Sequence, residues 1–129
     1  MVCADTDFII DLGRGSEKAF DKLEELGASG GSIFTTAITV AELYHGAYKA
    51  KDRSRTLAKT MNDLSRFSVL NLDYESARIW GELAERTKSN SIGELDLFMA
   101  SIAIANKQTL LTRNIKHFER VPDLTVESW

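Results

Sequence analysis

The chain has 129 residues, 43% of them hydrophobic and 27% charged, which suits one globular domain spanning 1–129 and leaves too little for two. Its net charge of −3 excludes recognition of nucleic acid through overall charge, so any phosphate-binding surface must be local or built with metal ions. No apolar run approaches the ~20 residues a bilayer span needs, no charged-then-apolar leader opens the chain, and the lone Cys3 excludes an internal disulfide. The expectation is a cytoplasmic protein without a membrane partner.

In chain order, short β-like runs alternate with longer helical patterns. "VCA" is a strand, and "DFIIDLGRG" a short helix stopped by glycine. "SEKAFDKLEELGASGG" reads as a helix opened by Ser16 and closed by Gly27, with Phe20, Leu23 and Leu26 on one face. "SIFTT" is a strand; "TVAELYHGAYKA" and "RSRTLAKTMNDLSRF" are helices; "SVLNL" is a strand. "YESARIWGELAERTKS" is a helix with Ala77, Trp80 and Ala84 along one stripe. "ELDLFMASIAIANK" is apolar nearly all round and belongs at the centre, and "QTLLT" and "LTVES" are the last strands. This alternation predicts an α/β fold with a mostly parallel sheet and helices on both faces. Sites in such folds gather at the carboxyl ends of strands, which is where the acids must be sought.

Two carboxylates, Asp5 and Asp7, stand directly after the first strand. Asp7 suits the N-cap of the next helix; Asp5 abuts the apolar strand and fits a cap less well. Glu42 completes a capping box with Thr39, yet Thr36 caps equally well one turn earlier. With Thr36 as the cap, Glu42 falls inside the helix on the face of Ile38 and His45, a carboxylate in want of a partner. Ser91 and Glu94 form another capping box, which leaves Asp96 beyond the cap in an apolar helix where aspartate is a poor fit. A site explains Asp96 better than helix formation does. In "LLTRNIKHF", Asn114 suits an Asx-turn or a cap; the functional reading is a polar group on a metal-bound water, with Arg113 facing a phosphate. Lys49, Lys51, Arg53, Arg55 and Lys59 read as a solvated face, or else as a phosphate-contacting rim. His45 and His117 could be ligands, but lone histidines are more often packed or exposed without a role, and none is assigned to them.

Taken together, "ADTDFIIDLGRG", "TTAITVAELYHGA", "IGELDLFMASIA" and "LLTRNIKHFERVPDL" resemble, in order and across the whole chain, the motifs of PIN-domain ribonucleases, and most closely the compact VapC-type toxins of toxin–antitoxin pairs. The resemblance implies a three-layer α/β/α PIN-like fold and Mg²⁺- or Mn²⁺-dependent endonucleolytic cleavage of RNA. It carries the metal-binding acids onto Asp5, Glu42 and Asp96, and a Thr-x-Asn element onto Thr112 and Asn114. Thr6, Asp7, Thr112 and Arg113 become supporting or substrate-contacting residues. It also implies a homodimer and a cognate antitoxin whose tail occludes the site, with the helices near 37–66 as the docking surface. One departure is plain: where many members carry a fourth carboxylate, this chain has Asn114 and, three residues later, His117.

Rival readings use some of the same residues. Asp5-Thr6-Asp7 matches the opening of haloacid-dehalogenase phosphatases, though the usual Gly-Thr does not follow. A receiver-like signalling module would use Asp73 as phosphoacceptor and leave Glu42 and Asp96 unexplained. A PIN fold that binds RNA without cutting it is the third alternative.

Overall fold

The computed structural model describes residues 1–89 and 92–129. In chain order the elements are β1 (Val2–Ala4), α1 (Thr6–Gly13), α2 (Glu17–Ala28), β2 (Ile33–Thr36), α3 (Ala37–Lys49) and α4 (Arg53–Leu64). There follow β3 (Ser68–Leu70), α5 (Tyr74–Arg86), α6 (Glu94–Ala105), β4 (Thr109–Leu111), α7 (Ile115–Phe118) and β5 (Val126–Glu127). The five strands form one sheet in the order β3-β2-β1-β4-β5, and every described pairing is parallel.

β1 lies at the centre because all three of its residues are apolar and small enough to be covered from both sides; each is buried. Ala4 pairs with Thr35 on one side and Leu111 on the other, so β1, β2 and β4 end at the same edge. The chain leaves β1 for β2 on one side and returns to β4 on the other. That reversal opens a crevice at the carboxyl ends of β1 and β4.

Consecutive residues of β4 serve opposite faces. Leu111 joins Val2, Ala4, Phe8, Ile9 and Leu12 in a cluster that takes in α2 and α4, while Leu110 joins Leu83, Leu97, Ala100 and Phe118 from α5, α6 and α7. Two clusters on two faces make the three layers that the sequence predicts. α6 is buried along most of its length, as its apolar composition requires.

Several expectations need correction. α2 continues through Gly27 to Ala28, and its wholly buried residue is Ala19 rather than Phe20, which is exposed. A small residue marks the tight approach of this helix to the core, a signal hidden when only large apolar side chains are counted. On α5, Trp80 and Ala84 pack against the core as expected, but Ala77 is exposed and the fully buried residues are Ser76 and Leu83. α3 begins at Ala37, two residues before the expected start, because Thr36 takes the cap. α4 stops at Leu64, and the short α7 was not expected as a helix. The glycine stop after α1 holds, with Gly15 in the left-handed region at φ 81°.

Phe8 is fully buried, with its ring edge-on to Phe67 and Trp129, whereas Tyr74 is 86% exposed. Phe8→Ala is expected to lower the unfolding free energy by about 3–5 kcal/mol. Tyr74→Ala is expected to stay within about 0.5 kcal/mol of the parent. Urea denaturation of both variants checks this.

Candidate active site

Asp5 follows β1 directly, and its backbone N–H extends the ladder by donating to the Leu111 carbonyl at 3.0 Å. Its extended backbone makes it the N-cap of α1, and the Phe8 N–H donates to its Oδ1 at 3.1 Å. The expected cap, Asp7, is instead an exposed residue of the first helical turn. A two-residue difference in the helix start decides this, since only the residue before the first helical φ/ψ can turn its side chain back.

Asp5 is only 5% exposed. Burial pushes its carboxyl from the ordinary 3.8 up to about 6; the Thr112 hydroxyl and the Phe8 N–H pull it down, and Asp7 and Asp96 add to the rise by repulsion.

Glu42 lies inside α3, because Thr36 caps that helix by accepting from the Thr39 N–H at 3.1 Å. The Thr6 hydroxyl donates to Glu42 Oε1 at 2.6 Å. Thr6 is the first residue of α1, so this bond ties the residue after Asp5 to the second acid.

Asp96 stands elsewhere than the capping-box reading implies. Ser91 lies outside the described residues. Glu94 is the first residue of α6, the cap is Gly93 without a side-chain bond, and Asp96 is in the first turn. The free N–H groups and positive end of the helix favour a carboxylate there, which removes the presumed cost of a helix-interior aspartate. Asp96 is half-buried, and its Oδ2 lies 2.9 Å from His117 Nε2.

Thr112 is fully buried at the end of β4, and its Oγ1 accepts from the Asn114 N–H at 3.0 Å. The turn is therefore made by Thr112. Asn114 occupies the cap position of α7 without a capping bond and faces solvent.

These residues meet in one cleft of about 380 Å³, lined by Asp5, Thr6, Asp7, Glu42, Asp96 and Asn114 over an apolar floor of Ile10, Met99 and Phe118. No lysine or arginine lines it. Arg113 is turned away: its guanidinium pairs with Asp11 and stacks over Trp129 at 4.9 Å. Of the basic stretch, Lys59 is paired with Asp63 at 2.9 Å and Arg53 lies over Tyr48. Asp73 has a structural task, capping α5 by accepting from the Ser76 N–H at 2.9 Å, so the receiver reading loses its phosphoacceptor. His117 was read as having no role and is in contact with Asp96; its place one turn after Asn114 was the available signal.

The donor set is all-oxygen and anionic, the chemistry that suits a hard divalent cation retaining several waters. Among the described residues, no three acidic, histidine or cysteine side chains are grouped closely enough to hold a metal ion by themselves. Glu42 is engaged by Thr6 and Asp96 by His117, so the fit is to a hydrated ion approached by Asp5 and Asp96.

Comparison with known proteins gives the family of the chain. The PIN domain family model matches residues 2–124. Ribonuclease VapC2 of Rickettsia felis is 36% identical over 107 residues, covering 81% of this chain and 80% of the relative. The tRNA(fMet)-specific endonuclease VapC of Salmonella typhimurium is 34% identical over 98 residues, covering 73% of each. The crystal structure of VapBC2 from Rickettsia felis bound to a DNA fragment from their promoter superposes with a TM-score of 0.92 at 32% identity, covering 100% of this chain and 99% of that one. The chain belongs to the PIN-domain family and, within it, to the VapC ribonucleases. No helix among the described residues is long and apolar enough to cross a membrane.

The raised pKa of Asp5 has a measurable consequence. Between pH 3.8 and about 6 the folded chain holds a proton on Asp5 that the unfolded chain has lost, so stability falls as pH rises through that window and stays lower above it. Asp5→Asn keeps the capping oxygen and removes the charge. In EDTA it is expected to raise the unfolding free energy by about 3 kcal/mol at neutral pH, and by almost nothing below the window. Urea denaturation across that pH range measures the difference.

Proposed function

We propose that this chain, as a single PIN domain, is a metal-dependent endoribonuclease and the toxin of a type II toxin–antitoxin pair. The observation that carries the reading is a buried, incompletely compensated carboxylate, Asp5, at the end of the central strand, sharing a cation-free cleft with Glu42 and Asp96 from two other elements. An acidic pocket repels a phosphodiester unless a cation stands between them. The names of the relatives support RNA as the substrate.

Asp5 and Asp96 would hold Mg²⁺ or Mn²⁺, with Glu42 joining directly or through water. A bound divalent ion supplies an activated water and stabilises the attacking and leaving oxygens of an in-line displacement. Glu42, oriented by Thr6, accepts the proton of the attacking water. Asn114 directs its side chain to a water or ligand at the mouth. Thr112 holds Asp5 from behind, and Asp7 adds negative charge at the rim. Arg113 reaches a phosphate only by giving up Asp11, which leaves the exposed residues of the 49–59 stretch as the readier phosphate contacts.

A second cleft of about 380 Å³ runs between α1, α3 and α4 and shares Thr6, Ile10 and Glu42 with the first. Its apolar floor includes Ile9, Ile10, Leu43 and Ala47, beside Arg14 and Lys59. This suits an amphipathic antitoxin segment that ends at the acids. The reading includes a homodimer, for which light scattering is expected to give twice the 14.4 kDa of one chain.

EDTA is expected to abolish cleavage of RNA, and Mg²⁺ or Mn²⁺ to restore it. Asp5→Asn and Asp96→Asn are each expected to lower the rate on the order of a hundredfold or more while circular dichroism stays that of the parent. Either variant cleaving at the parental rate, in a preparation free of other nucleases, would refute the assignment. Co-expression with the small neighbouring open reading frame is expected to relieve toxicity and yield a co-purifying complex.

A further inference from the structure

We propose that His117 is a positioning residue for Asp96, holding one carboxylate oxygen so that the other faces the cleft, with Arg120 fixing the imidazole in the one tautomer that can do this. The proposal rests on the metal-binding reading of Asp96 given above.

His117 and Asp96 lie 21 residues apart on α7 and α6, and their contact of 2.9 Å joins the two elements. His117 does not line the cleft, whereas Asp96 does. The imidazole therefore reaches the carboxylate from outside the site and acts through it. The bond is sheltered, with the His117 side chain only 16% exposed.

Arg120 decides which ring nitrogen carries the proton. Its Nη2 lies 2.8 Å from His117 Nδ1. A guanidinium only donates, so Nδ1 must accept and Nε2 must hold the hydrogen. Nε2 is the atom facing Asp96, and the carboxylate is the acceptor it needs. Arg120 also donates from Nε to the His117 carbonyl at 3.3 Å, gripping backbone and ring of the same residue. The Phe118 ring meets the imidazole nearly edge-on at 5.0 Å, which limits its rotation. A relay thus runs from Arg120 through His117 to Asp96, with a direction set by donor chemistry. Groups that orient metal-binding side chains from behind in this way affect metal affinity without touching the ion.

The test uses the full chain, purified free of any partner, with Mn²⁺ as probe and free Mn²⁺ read by electron paramagnetic resonance. His117→Leu is expected to weaken Mn²⁺ binding about 10–100-fold. His117→Gln, whose amide N–H can stand where Nε2–H stands, is expected to restore most of that loss. In RNA cleavage, His117→Leu is expected to lower kcat with little change in KM. Unchanged or tighter Mn²⁺ binding by His117→Leu overturns the proposal, tighter binding meaning that the histidine competes with the ion. Failure of the wild type to bind Mn²⁺ removes the metal reading and this proposal with it. Binding by the wild type that His117→Leu leaves unaltered removes this proposal alone. Long-range ¹H–¹⁵N correlation of the wild-type imidazole serves if His117→Leu fails to fold. It is expected to show the Nε2–H tautomer, with Arg120→Ala giving a mixture; an Nδ1–H wild type overturns the proposal.

Discussion

Much of this molecule depends on one constraint: a carboxylate must sit at the carboxyl end of the central strand, where the sheet leaves it almost no water. β1 is covered by helices on both faces and flanked by β2 and β4, so the residue after it inherits the burial of the strand. Asp5 meets that condition with one backbone donor from its own helix and one hydroxyl from Thr112. These soften the loss of hydration without cancelling it, and the carboxyl is left easier to protonate than an ordinary aspartate. A fold optimised for stability alone would place an uncharged residue here, so retention of the acid points to use.

The threonines around this acid form a consistent support. Thr6, Thr36 and Thr112 each follow or end a strand at the same edge of the sheet. Each uses its hydroxyl locally: Thr36 to start a helix, Thr112 to make a turn, Thr6 to hold Glu42. These committed hydroxyls fix how α1 and α3 enter the cleft, and the contact of His117 with Asp96 ties α6 to α7. This is how a sheet edge becomes a site when no two of Asp5, Glu42 and Asp96 belong to the same element.

The layers and the central strand were legible in the sequence because they follow from runs of like character. "VCA" and "LFMASIAIA" are too apolar to be anything but interior, and Thr36 announces a helix by local chemistry alone. What escaped is non-local or carries no side chain. A glycine cap before α6 offers no hydroxyl to recognise, which displaced the reading of Asp96 from the first turn into the helix interior. α7 is four residues long, too short to show a period. The contacts of His117 with Asp96 and of Arg113 with Asp11 join residues distant in sequence, and no local pattern encodes them. Asp5 rather than Asp7 is the cap because the helix starts two residues earlier than its pattern suggests, and helix ends are the least legible quantity in any chain.

The pairing of β1 with β4 also has a consequence in time. Val2 lies beside Thr109 and Ala4 beside Leu111, so β1 waits for β4, more than 100 residues later, before it is enclosed. Contacts between residues so far apart close a long loop and form late. Asp96 and Thr112 reach Asp5 only after α6 and β4 have been translated. A growing chain therefore keeps Asp96 apart from Asp5 and Glu42 until α6 has been made. For a nuclease made beside the ribosomes and RNA of its own cell, strand order alone delays the danger until α6 and β4 have joined the strands before them.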